Sequence, residues 1–255
     1  MPLTLSPLQN MPLIRHGDNL ADILLDSLAA GGLRLADGDV LVLAQKIVSK
    51  AEGRMVNLAE VAPGPRALDL AAQAEKDARV VELMLRESRE VLRVRPGAII
   101  VEHKLGFVCA NAGIDHSNVA GDGDASGEYV LLLPEDPHRS ASEIRGEIEA
   151  RYGARIGVLI IDSHGRAWRN GTVGVAIGLS GMPGLVDLRG QPDLFGYTLR
   201  VTQVGAADEL AAAASLMMGQ AAEGTPAVHA RGFPYPLREG ALAELIRPKE
   251  QDMFR

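Results

Sequence analysis

The sequence predicts a mixed α/β (α+β) protein, and three observations carry that expectation. Segments of helical period alternate with short β-rich runs, and no unit repeats. Apolar residues make up 47% of 255, enough for a sizeable core in one domain or in two lobes that share it. No low-complexity linker divides the chain, so residues 1–255 are read as a single module.

Taken in order, DNLADILLDSLAAGG places apolar residues at helical spacing, starts near an Asp cap and ends at a Gly pair. DVLVLA is a short strand, followed by the polar segment QKIVSKAEGR. Residues 66–91, rich in Ala, Leu, Glu and Arg, read as one or two helices. RPGAIIVEHKLGFVCA reads as a hairpin turning near Lys104 and Gly106. YVLLLPEDP is a strand stopped by proline, and Ser140 with Glu143 reads as a capping box for the helix SEIRGEIEARYG. ARIGVLIID is an apolar strand ending in Asp162; GTVGVAIGLSG and LFGYTLRVTQVG are further strand candidates. ADELAAAASLMMGQAAEG is an Ala-rich helix.

Composition narrows the function. A net charge of -7 argues against nucleic acid, which needs a basic face, and scarce aromatics argue against base stacking. Cys109 is the sole cysteine, which excludes an intrachain disulfide and a cysteine-rich zinc site. It sits in an apolar strand pattern and reads as a small buried hydrophobe. The opening MPLTLSPLQNMPLIRHG lacks the basic head and apolar stretch of a signal peptide, and no apolar run reaches membrane-spanning length. A soluble, cytoplasmic protein without a membrane partner is the default expectation.

The chemistry concentrates in few places. Asp162 ends an apolar run, where a carboxylate needs a partner, and strand ends facing a crevice bind ligands in α/β sheets. An Asp capping the turn DSHG explains it equally well. Asp115 in GIDHSN divides the same way between a site and an Asx turn. Two carboxylates on separate loops suit a hard divalent ion such as magnesium or manganese. The stretch 111–128 adds Asp122, Asp124 and Glu128, but the calcium-loop template fails there. Lys46 and Lys50, four apart, would share a helix face and could clasp phosphate; a solvated pair is the more ordinary reading. His116 and His164 each lie close after one of the aspartates. The sequence lacks a Walker-type loop, a dinucleotide fingerprint, a G-x-S-x-G elbow and histidines at metal-ligand spacing. Asn170–Thr172 matches a glycosylation sequon and reads here as a turn.

PLIRHGDNL, QKIVSKAEGR, GFVCANAGIDHSNV, LLLPEDP, IIDSHGRAWRNGTVGVAIGLSG and ADELAAAASLMMGQ, in this order, resemble the coenzyme F420-0:L-glutamate ligase family. The likeness runs from about residue 10 to about residue 232. It implies a family-type ligase fold of two lobes, an intertwined homodimer, and GTP-dependent addition of L-glutamate to coenzyme F420-0 with divalent metal. Lys50, Asp115 and Asp162 would carry catalysis. Asp115 and Asp162 would hold one magnesium or manganese ion, Ser163 and Gln220 a second, and potassium is a further candidate ion. GTP contacts would fall on Met11, Pro12, Leu13 and Ile14, on Gln45, Lys46 and Lys50, and on Asn118. They would continue over Met218, Gly219, Gln220, Ala221, Ala222, Glu223, Gly224 and Thr225.

Arg166, Arg169, His103 and Lys104 are candidate clamps for substrate carboxylate or phosphate. Family members often carry glutamate where this chain has Gln220, whose amide oxygen is a weaker ligand for a hard cation. The stretch between Val119 and Leu131 is longer than in archaeal members and reads as an acidic surface loop. The reductase domain fused in actinobacterial relatives is not expected here. An amide ligase with a different acceptor, or a nucleotide- and metal-binding module without turnover, are the alternatives.

Overall fold

The computed structural model describes residues 2–119 and 128–252. The elements begin with β1 (Thr4–Pro7), α1 (Leu20–Ala30), β2 (Val40–Ala44), α2 (Gln45–Ala51), β3 (Met55–Asn57), α3 (Pro65–Ala74) and α4 (Ala78–Arg86). There follow β4 (Ser88–Arg95), β5 (Ala98–His103), β6 (Val108–Ala110), β7 (Tyr129–Leu131), α5 (Pro137–Tyr152), β8 (Gly157–Arg166) and β9 (Arg169–Ser180). Short β10 (Val186–Asp187) and β11 (Gln203–Val204), then α6 (Ala206–Met218) and β12 (Ala227–Arg231), complete the fold, which is mixed α/β as expected.

The main sheet has the order β1-β12-β2-β8-β9. Its one parallel pair, β2 with β8, sets Val40 opposite Gly157 and Ala44 opposite Ile161. Because side chains alternate along a strand, the two faces have different partners. Leu41, Leu43, Val158 and Ile160 pack with α1 and α5, whereas Val40, Val42, Leu159 and Ile161 pack with α6. Leu24 and Leu28, both fully buried, anchor α1, each contributing about 2 kcal/mol from area burial. At the opposite end from the cavity described below, buried Asp39 takes both Nε (2.9 Å) and Nη2 (2.7 Å) of Arg231 and lies 2.8 Å from His229 Nε2. That network ties β12 to the entrance of β2.

Glycines on β9 let helices approach closely. A Cβ at Gly174 would lie 2.5 Å from the Ala211 carbonyl of α6, and one at Gly178 would overlap the Pro137 carbonyl of α5. A separate apolar cluster joins α3 and α4 to the sheet β4-β5-β6 and to the β3–β7 pair. Asp115 extends that pair by bridging Leu131 through both backbone groups.

Several sequence expectations need correction. β8 does not stop at Asp162: paired with β9, it runs on to Arg166, so DSHG is strand and Asp162 caps no turn. The hairpin turns at Ala167 and Trp168 instead, placing Asn170 and Thr172 in β9. Helix α5 starts at Pro137, where a missing N–H costs nothing, and Asp136 caps it by accepting from Arg139 N at 3.0 Å. Ser140 lies inside that helix and donates to Glu52 Oε1. For α1 the cap is Asn19, while Asp18 accepts from Arg15 N. LFGYTLRVTQVG is mostly not strand. The Asp193 carboxylate accepts from both Phe195 N and Tyr197 N, folding a turn that leaves Leu194 and Phe195 exposed. Among the described residues no helix is long and apolar enough to cross a membrane. Asp122 and Asp124 lie outside the described residues.

Candidate functional site

A cavity of about 800 Å³ opens where β2 and β8 carry their chains toward α2 and the β8–β9 hairpin. Parallel pairing brings these segments to one end of the sheet: Ala44 stands opposite Ile161, so Gln45 and Asp162 follow side by side. The loop after α6 and the segment Met11–Ile14 close the other walls. Every residue assigned above to nucleotide lines this cavity, as do Asp162 and Ser163. Arg15, His16, Met55, Val119 and Ser215 line it too; all but Met55 fall within the blocks that carry the resemblance, yet none is singled out above as a site residue.

Alternation along β8 separates the four candidate metal-holding groups into two pairs. Asp162 faces the α5 side with Ile160, near Asp115, and its Oδ2 lies 3.0 Å from His164 Nε2. Ser163 faces the α6 side, where its hydroxyl donates to Gln220 Oε1 at 3.0 Å. Asp115 Oδ2 accepts from Gln45 Nε2 at 2.7 Å and lies 3.4 Å from Lys46 Nζ. Burial pushes the Asp115 carboxyl above its ordinary range against the pull of Lys46, and the nearby Asp162 charge adds to the rise. Oδ1 of each aspartate has no hydrogen bond among the described residues. Two neighbouring carboxylates with free oxygens, plus a hydroxyl and an amide oxygen, fit a hard divalent ion. Among the described residues no three His, Cys, Asp or Glu side chains form a metal cluster, so any ion here draws on water or substrate oxygens as well.

The lysines face the same space from α2. Lys46 Nζ donates to the Ser117 hydroxyl at 2.8 Å, and Lys50 Nζ donates to the Asn118 carbonyl at 2.8 Å. Asn118, at φ 56°, passes the connection on through Nδ2 to the Ala221 carbonyl at 3.1 Å. Lys50 is half-buried and pairs with no carboxylate among the described residues. Burial, with the Lys46 charge behind it, holds its ammonium below the ordinary lysine range. A desolvated cation that meets no counter-charge among the described residues is a place for an anion.

The remaining candidates fall elsewhere. Arg166 donates to the Gly171 carbonyl, and it and Arg169 stand exposed at the far end of the hairpin, away from the cavity walls. Lys104 lies 3.7 Å from Glu87. His103 is buried, stacked on Phe107, and burial pushes its pKa down to about 4. Cys109 is buried as expected and its thiol is pushed up to about 12, which rules out a ready thiolate. Glu128 pairs with Arg79 on the small sheet's side and does not line the cavity. A second cavity, about 940 Å³, lies between β10–β11 and the C-terminal segment; its Arg238 and Glu244 neutralise each other.

Comparison with known proteins is consistent across the chain. Residues 9–232 match the family described as F420-0:Gamma-glutamyl ligase. The chain is 47% identical to the coenzyme F420:L-glutamate ligase of Methanothermobacter thermautotrophicus, with 100% of both chains covered. It is 48% identical to that of Methanopyrus kandleri over 95% of this chain and 93% of the relative. The corresponding protein of Archaeoglobus fulgidus is 43% identical over 100% of this chain and 97% of its own.

Proposed function

This chain belongs to the F420-0:gamma-glutamyl ligase family, and from that premise we propose that it is a ligase joining L-glutamate to coenzyme F420-0 at the expense of GTP. The observation that supports nucleotide-driven chemistry most is Lys50. It is a half-buried ammonium without a carboxylate partner among the described residues, in the same cavity as Asp162 and as Lys46, which lies 3.4 Å from Asp115.

In this reading a carboxylate oxygen of the acceptor attacks the γ-phosphorus of GTP. The bond to the bridging oxygen breaks, GDP leaves, and an acyl phosphate remains. The amine of glutamate then attacks the acyl carbon, phosphate departs, the amine loses a proton and an amide is formed. Further glutamates would join through the γ-carboxylate of the one before. Lys50 and Lys46 offset charge on the transferring phosphoryl group, and the cavity walls hold donor and acceptor in line. Asp115 and Asp162 would hold one magnesium or manganese ion, which supplies Lewis-acid stabilisation of the phosphate oxygens. Ser163 and Gln220 would hold a second ion more weakly, because the Gln220 amide oxygen is neutral and already accepts from Ser163. No enzyme nucleophile is required, in keeping with the buried, protonated Cys109.

The exposed Leu194, Phe195 and Val201 suit the homodimer that the family resemblance implies, which light scattering would detect. Potassium is a further ion to vary. The decisive experiment incubates the protein with the unglutamylated cofactor, L-glutamate, GTP or ATP, and magnesium or manganese, and reads product mass. Steps of whole glutamyl units, requiring metal and GTP, support the proposal. Equal yield with ATP removes the GTP assignment, and absence of product from folded, GTP-binding protein removes the ligase assignment.

A further inference from the structure

The loop that follows α6 already holds an anion, and the anion is its own. Gly219 adopts φ 74° and ψ -175°, a conformation closed to other residues, and a Cβ there would collide with the Glu223 carboxyl group. The space left by that missing Cβ is filled by the Glu223 carboxylate, whose Oε2 accepts from Ala221 N at 2.7 Å. Together the backbone N–H groups of Ala221, Glu223 and Gln220 hold this fully exposed carboxyl below its ordinary range. Amides converging on one oxyanion form the concavity that proteins use for phosphate.

Two further features make this more than a local turn. The loop lines the cavity, so its amides share a chamber with the desolvated Lys50. The two are also mechanically linked, because Lys50 holds the Asn118 carbonyl while the Asn118 side chain holds the Ala221 carbonyl. A cation without a carboxylate partner among the described residues thus shares this chamber with an amide cradle that contains a carboxylate.

Building on the nucleotide reading above, which already puts nucleotide contacts on residues 218–225, we propose that the Glu223 carboxylate occupies the backbone N–H groups of this loop in the free protein and must be displaced before a phosphate oxyanion can take them. The occupant lowers apparent affinity by the fraction of molecules in which the cradle is filled. Its release is therefore a threshold that weakly bound anions do not cross.

The test is calorimetric titration of the whole protein and of Glu223→Ala and Glu223→Gln, with EDTA present so that no metal–phosphate complex contributes. Pyrophosphate, GDP, guanosine and L-glutamate are the probes. Glu223→Ala is expected to bind pyrophosphate and GDP about five- to tenfold more tightly, with guanosine unchanged and Glu223→Gln in between. Unchanged or weaker pyrophosphate binding by Glu223→Ala, with native circular dichroism, overturns the proposal. A gain for L-glutamate but not for pyrophosphate also overturns it, and assigns the cradle to a substrate carboxylate. If pyrophosphate binding tightens while neither protein binds GDP, the phosphate subsite stands and the nucleotide reading falls.

Discussion

His164 Nε2 lies 3.0 Å from Asp162 Oδ2, two residues along the same face of β8, and the imidazole rests against Phe107 with ring centroids 5.3 Å apart. The ring fixes which oxygen of Asp162 remains for a ligand, as an outer partner does for a metal-holding carboxylate. Replacing His164 with Phe keeps the packing and removes the hydrogen bond. Apparent manganese affinity, read by electron paramagnetic resonance titration, should fall about 10- to 100-fold, and His164→Asn should recover part of it. Equal manganese affinity in all three proteins would show that the ring only fills space.

Asp115 is a carboxylate kept at a cost in stability. Burial and Asp162 both disfavour its charge. Asp115→Asn should therefore melt at the same temperature as the parent protein or higher, while turnover falls by at least about 100-fold. A melting temperature several degrees lower would mean that the charge supports the fold through Lys46 and Gln45 more than it supports chemistry.

The close approach of helices to β9 sets a steric limit. Gly174→Ala drives a methyl group toward the Ala211 carbonyl, and Gly178→Ala drives one into the Pro137 carbonyl. Neither obstacle is a flexible side-chain end, so each change should destabilise by about 1–3 kcal/mol in urea titration. Gly165→Ala, where the added atom meets open space, is the control and should leave the midpoint within about 0.5 kcal/mol.

His103 gives stability a pH dependence of definite sign. Burial, then the charges of Lys104 and Arg54, depress its folded pKa to about 4 from 6.5. A depressed pKa means that the unfolded chain binds the proton more readily. The contribution is complete above about pH 6.5 and is lost as pH falls toward 4 and below, roughly 3 kcal/mol in all. Unfolding free energy measured between pH 7 and 4 should have a shallower slope in His103→Gln than in the parent. Parallel slopes would remove His103 as the cause.

Periodicity made much of this legible. The apolar runs at 40–44, 98–101 and 157–161 form strands because their side chains are buried on both faces or pack against helices. The four-residue spacing of Lys46 and Lys50 does place both on one side of α2, toward residues 115–118. What stayed hidden depends on partners distant in sequence. Residues 162–166 are polar and carry no strand pattern; pairing with β9 makes them strand. β1 and β12 are short runs that exist through pairing between residues 4–7 and 228–231. The role of His164 follows from that same extension, since only an extended chain puts residues 162 and 164 on one face. The capping box at Ser140 was overridden by Asp136–Pro137, a stronger start signal four residues earlier.

The register of β8 has a bearing on which length changes the gene can absorb. Asp162 turns toward Asp115 and Ser163 toward Gln220 because Ile161 stands opposite Ala44. Deleting or inserting one codon between Gly157 and Ile161 would invert every downstream side chain, sending the hydroxyl to the aspartate's wall and the carboxylate to the glutamine's. The exposed turn at Asp193–Gly196 carries no such parity. Length variation among descendants of this chain should accumulate there, and in β8 it should come only in even steps or not at all.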